Sequence, residues 1–264
     1  MSIVSGSRSE YPAEAMAEPR HLHRAPIIEA LIDLRVVMPE GLTIESLERS
    51  LQPLDFGYYV KSPISQGTIE FRAPPGGQPF ESATQASVVG YRLHSDDERY
   101  VVQWQVGGIT VSRLQPYQDW PTLLAECQRL WQIYAARCRP VRVSRVAARY
   151  INDLRLPLAS GESYQLFLNR FVELPEGAPQ AVEAFFQRFQ LVDVSSGGRV
   201  ALSLSQKGVR EGEPAQVILD IDAFKERDMA ADAAEIWSEL EQLRVLKNRC
   251  FFSTITDRAA ELYQ

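Results

Sequence analysis

The sequence predicts an α+β protein in which a curved antiparallel sheet carries long helices across one face. Three observations predict it. Strand-like runs with one apolar side recur along the chain. The turns Ser95-Asp96-Asp97-Glu98 and Gly107-Gly108 are short enough to join antiparallel neighbours. Two long helical patterns occur, each after a group of strands. The order strand, short helix, antiparallel strands, long helix is therefore stated twice. It divides the chain into a flexible tail (1–20), a first repeat (21–139) and a second repeat (140–264) that share one continuous fold.

The first strand is Pro26 to Val37, with Ile28, Ala30, Ile32, Leu34 and Val36 on one side and Glu29, Asp33 and Arg35 on the other. Pro39-Glu40-Gly41 ends it. Thr43 then caps a short helix that Pro53 stops. Strands follow at Gly67 to Arg72, Ser87 to His94, Arg99 to Val106 and Ile109 to Leu114, with Pro74-Pro75-Gly76-Gly77 as a loop. A long helix opens at Asp119, with Pro121 in its first turn. It repeats Trp120, Leu123, Cys127, Leu130, Trp131, Tyr134 and Cys138 at helical spacing, and Pro140 ends it.

The second repeat starts with the strand Val141 to Leu156, and Ser163 caps a short helix to Phe171. Strands are predicted at Glu183 to Val192, Arg199 to Ser205 and Gln216 to Asp222, with turns at Ser195-Ser196-Gly197-Gly198 and near Gly212. The closing helix, Ala231 to Arg249, buries Ile236, Trp237, Leu240, Leu243 and Leu246. The letters echo the order. Asp33-Leu34-Arg35 returns as Asp153-Leu154-Arg155, and Arg137-Cys138 as Arg249-Cys250. This succession resembles the topology of the TATA-box-binding-protein and helix-grip folds, a likeness of fold that carries no function with it.

Composition narrows the function. Lys and Arg number 28 against 34 Asp and Glu, a net charge of −6, the wrong balance for a general phosphate-backbone binder. No run reaches the roughly 20 apolar residues of a membrane helix. The start of the chain lacks the basic-then-apolar pattern of a signal peptide. Cys127, Cys138 and Cys250 are odd in number and not in CxxC spacing, which points to reduced thiols in a cytoplasmic protein.

Strand parity leaves a polar face away from the helices, and it holds the candidate partner-binding residues: Glu29, Asp33, Arg35, Arg149, Asp153 and Arg155. Arg149 and Arg155 can fork onto carboxylates or phosphates. Asn152 joins the candidates but falls on the apolar side, where its amide needs partners and best serves to fix a bulge. Counting Glu29, Asp33, Asp153, Asp220 and Asp222 against Arg35, Arg145, Arg149 and Arg155, the face has no basic excess, and DNA is not its expected partner.

Catalytic motifs are scarce. No HExxH, GxSxG or P-loop string occurs. His21-x-His23 could begin a metal site but has no third ligand nearby. Asp220-x-Asp222 could hold a divalent metal, yet the glycine loop and third acid of a nucleotidyl-transfer site are missing. The expectation is a non-catalytic module without a cofactor that binds another protein through the open face or a sheet edge, and is compatible with a homo-oligomer. The alternative is a metal-dependent nucleotide-processing enzyme or small-ligand binder, with its pocket between sheet and helices and Asp220, Asp222 and Arg149 as its polar groups.

Several segments together resemble a sporadically distributed bacterial family of uncharacterised function. They are Arg24-Ala25-Pro26-Ile27-Ile28-Glu29-Ala30, Arg149-Tyr150-Ile151-Asn152, Leu219-Asp220-Ile221-Asp222 and Phe252-Ser253-Thr254-Ile255-Thr256. The resemblance spans the chain after the tail. That family carries a Leu-His pair in its last helix where this sequence has Leu243-Arg244, which removes a histidine as a candidate for chemistry there. Patchy distribution implies mobile genes and an antitoxin-like or defence-accessory setting.

Overall fold

The computed structural model describes residues 17–72, 81–158, 162–169, 177–179, 182–207 and 213–264. The first half contains strand β1 (Ile27–Val37), helix α1 (Ile44–Ser50), strands β2 (Tyr58–Arg72), β3 (Glu81–Ser95), β4 (Tyr100–Gln105) and β5 (Gly108–Leu114), and helix α2 (Trp120–Cys138). The second contains β6 (Arg142–Leu156), β7 (Ala184–Val192), β8 (Arg199–Lys207), β9 (Ala215–Met229), α3 (Glu235–Thr254) and α4 (Asp257–Glu261). The strands form one nine-stranded sheet in the order β2-β3-β4-β5-β1-β6-β9-β8-β7. Every ladder is antiparallel, so the expected α+β class holds.

The strand order reads outward from the centre in the same way on both sides. β1 and β6 meet in the middle, β5 and β9 flank them, then β4 and β8, then β3 and β7, with β2 extra at the first edge. The repeated tripeptide fits this layout. The offset that carries Asp33 onto Asp153 carries Ala30 onto Tyr150, and those two residues face each other across the β1–β6 ladder.

Local signals act where the sequence places them. Thr43 accepts a hydrogen bond from the Ser46 N–H at the start of α1, and Asp119 accepts one from Thr122 at the start of α2. Arg139 adopts a left-handed conformation (φ 50°) that ends α2 before Pro140. Gly108 is required at the β4–β5 hairpin: its φ is 142°, and a Cβ there would overlap the Leu34 carbonyl.

Helices α1, α2 and α3 cover one face only. Ala30, Ile32, Leu34, Val102, Trp104, Val111, Val146, Tyr150, Leu219 and Ile221 are buried beneath them. Trp104 donates to Ser50 Oγ of α1 (3.1 Å) and meets Tyr134 of α2 edge-on. Lys225 of β9 reaches Glu239 of α3.

Several boundaries differ from expectation, among them the start of β3, at Glu81 and not Ser87, and that of α3, at Glu235 and not Ala231. β2 begins at Tyr58 and not Gly67, because Tyr58 to Val60 already pair with β3 across two register shifts. β9 continues past Asp222 to Met229, following β6 to its start. The short helix expected from Ser163 to Phe171 is a single 3-10 turn at Tyr164–Leu166. α3 runs to Thr254, and α4, capped by Thr256, was not expected.

The expected flexible tail is corrected at its end. Ala17 donates to the Ile255 carbonyl, and Arg20 pairs with Asp257 at 2.7 Å. Positions 1–16, the Pro74–Gly77 loop, Phe171 and Gly212 lie outside the described residues. Among the described residues no helix is long and apolar enough to cross a membrane.

Candidate functional site

The uncovered face carries a charge network at its centre. Asp33 is 4% exposed although no described helix lies over it, because neighbouring strands supply side chains around it. Its Oδ1 accepts from Thr110 Oγ1 on β5 (2.7 Å), the residue directly opposite. Its Oδ2 accepts from Arg35 Nε (3.0 Å) and from Arg145 Nη1 of β6 (2.8 Å). Arg145 extends its other nitrogen to Asp222 of β9 (2.8 Å) and stacks over Phe224, 4.5 Å from the ring centroid. Arg149 grips Asp220 with two bonds, 2.8 and 2.6 Å.

The candidates therefore hold one another. Arg149 is raised further in pKa by its hydrogen bonds to Asp220, with Asp222 and Glu29 contributing. The Asp222 carboxyl is raised by burial, which outweighs Arg145 and Arg149 beside it. Arg155 pairs with Asp153 two residues back (2.8 Å), the arrangement Arg35 has with Asp33. Glu29, Asp33, Arg35, Arg149, Asp153 and Arg155 share the uncovered face, but Asn152 does not. Its amide donates to the Leu219 carbonyl (3.0 Å) under the helices, opposite the register shift in β1 between Ile27 and Glu29. That bond crosses the regular stretch of the β6–β9 ladder and not the shifted β1–β6 one, so Asn152 lies opposite the irregularity without bonding across it.

Asp220 and Asp222 point to the same face, yet each is taken by an arginine. A metal would have to displace those arginines. Among the described residues no group of three His, Cys, Asp or Glu could hold a metal ion. The rings of His21 and His23 stand edge to face, 4.9 Å apart. A cavity between sheet and helices does exist, but the polar groups assigned to it are misplaced. Arg149, Asp220 and Asp222 are on the opposite side of the sheet, whereas Asn152, His21 and His23 line it.

The sheet edges supply what the face lacks. β2, at one edge, carries Lys61 and Pro63 and is broken by two register shifts, devices that discourage a further strand. β7, at the other edge, has an unbroken ladder to β8 and no proline. Phe186, Phe189, Leu191 and Val192 on it, and Val194 just after, are all exposed. Apolar residues on both sides of one strand were the sequence signal for this edge, since a covered strand needs only one apolar side. Comparison with protein-family models finds no match for this chain, and comparison with curated protein sequences finds none either.

Proposed function

We propose that this protein is a non-catalytic interaction module that receives an extended segment of another protein along β7. The observation that carries this reading is the set of exposed apolar side chains on an edge strand whose one ladder is unbroken. Backbone groups on such an edge can add a strand, while apolar side chains on both sides of it give the contact its area. The uncovered face is the weaker candidate surface, because its arginines already bind carboxylates of the same sheet and would gain little by exchanging them. An antitoxin-like or defence-accessory setting is what the family resemblance implies, and the cysteine pattern favours the cytoplasm.

The test is co-purification with the product of the neighbouring gene. Phe189→Lys with Leu191→Lys should keep the melting temperature within a few degrees and lose the partner. Arg149→Glu should retain it. A partner kept by the β7 variant and lost by Arg149→Glu would move the interface to the open face. Light scattering on the protein alone decides whether the segment can come from a second copy of the chain.

A further inference from the structure

We propose that the cavity between the centre of the sheet and α3 binds a small organic acid, its carboxylate held by Lys247 and its apolar body packed on aromatic walls. The cavity measures about 450 Å³ and is bounded by β1, β6, the first turn of α2, α3 and the segment 20–26. That is the size of a small-molecule pocket. It lies beside Tyr150, at the point about which the two halves are related.

Lys247 is 8% exposed, and its Nζ sits 3.5 Å from the centroid of the Tyr150 ring. The Tyr150 hydroxyl is engaged with that of Tyr117 (2.9 Å), so it is not directed to the ammonium. Among the described residues no oxygen hydrogen-bonds or pairs with Lys247. Lys225, the lysine that also lies between sheet and α3, shows the contrast, with both oxygens of Glu239 at 3.0 and 2.8 Å. Burial, reinforced by the Arg244 guanidinium, brings the Lys247 amine down to about 7.

The other arginines and the aspartate facing the cavity each have an ionic or capping partner, although Arg20 Nε is buried without one among the described residues. Arg20 is paired with Asp257, Arg244 reaches Glu241 (3.3 Å), and Asp119, on the loop leading into α2, caps that helix. His21 and His23 flank the cavity from the N-terminal segment. One ammonium is thus left without a counter-charge in a chamber walled by Trp120, Phe251 and Phe252. An anion would complete it. A carboxylate matches a single lysine, whereas a phosphate calls for several donors or a glycine-rich backbone cradle, and among the described residues no glycine lines this cavity.

The experiment is calorimetric titration of the full chain with benzoate, phenylacetate and hexanoate, using benzamide and inorganic phosphate as controls. At least one acid should bind saturably, with benzamide about tenfold or more weaker, since it lacks the charge. At pH 8 binding should take up a proton, seen as a heat that changes with the buffer's ionisation enthalpy. Lys247→Met should fold and lose the acid about tenfold or more, and Lys247→Gln provides the same readout if the methionine variant does not fold. Absence of binding by all three acids, phosphate binding in preference to them, or equal affinity in the Lys247 variants would overturn the proposal. β7 lies at the far edge of the sheet, so this result and the partner experiment are independent.

Discussion

Asp33 and Asp153 open the same tripeptide on adjacent central strands, and their surroundings differ. Across from Asp33 stands Thr110, which donates to it, while across from Asp153 stands Ile218, which cannot. Asp33 collects Thr110, Arg35 and Arg145, but Asp153 has Arg155, and its buried Oδ1 has no partner among the described residues. The helices diverge in the same way. In the first half Tyr134 meets Trp104 edge-on and stacks on Trp131, filling the core with rings. Aligned by their shared Arg-Cys ends, α3 has Leu243 and Leu246 in those places and Lys247 where α2 has Ala135. One architecture thus has Asp33 fully engaged and a ring-filled core in its first half, and an unengaged Asp153 oxygen and a buried lysine in the matching places of its second.

The largest effect that would sharpen this comparison is expected at Lys247. Its pKa is lowered on folding, so between about pH 7 and 10.5 the unfolded chain binds more protons and stability rises with pH. At about 1.4 kcal/mol per pKa unit this amounts to a few kcal/mol across the window. The groups around it, Arg20, His21, His23, Tyr117, Asp119, Tyr150 and Arg244, are common to wild type and variant. Chemical denaturation at pH 7 and pH 10 should therefore show a smaller rise in Lys247→Met. An equal rise in both proteins breaks the comparison.

Asp33→Ala comes next. It leaves Arg145 and Thr110 short of an acceptor in a buried network and should cost about 3 kcal/mol, whereas Asp153→Ala should cost under about 1 kcal/mol. Equal urea midpoint shifts for the two would show that the extra partners of Asp33 contribute nothing. Thr110→Val removes one hydrogen bond to a carboxylate and should cost about 1.5 kcal/mol by the same measurement. The smallest effect is Ile218→Thr, which gives Asp153 the hydroxyl that Asp33 already has. Loss of apolar burial should nearly offset the gain, and only a double-mutant cycle with Asp153→Ala would reveal the coupling, under about 1 kcal/mol.

The edges repeat the contrast. β2 ends the first half with Lys61, Pro63 and two register shifts, and β7 ends the second with Phe186, Phe189 and Val192 open to solvent. The polar face was legible from strand parity, which placed Asp33, Arg35, Arg149, Asp220 and Asp222 together because alternate residues share a side. Their mutual pairing was not legible, since Arg145 joins Asp33, 112 positions earlier, to Asp222, 77 positions later. β2's early start was hidden by Pro63, which an edge strand tolerates. Lys247 was invisible for a different reason. On a helix that carries charge at many positions, nothing local distinguishes a lysine turned inward from one in water.

Residue order alone determined the element types, the two-sided strands, the caps at Thr43 and Asp119, and the echo between the halves, because each depends on neighbours within a few positions. Only the tertiary structure decided which strand faces which. With that it decided whether an aspartate meets threonine or isoleucine, which edge is left bare, and which lysine is enclosed without a counter-charge. Those outcomes rest on contacts between segments tens to hundreds of positions apart, and side-chain solvation is set by such contacts and not by the letter itself.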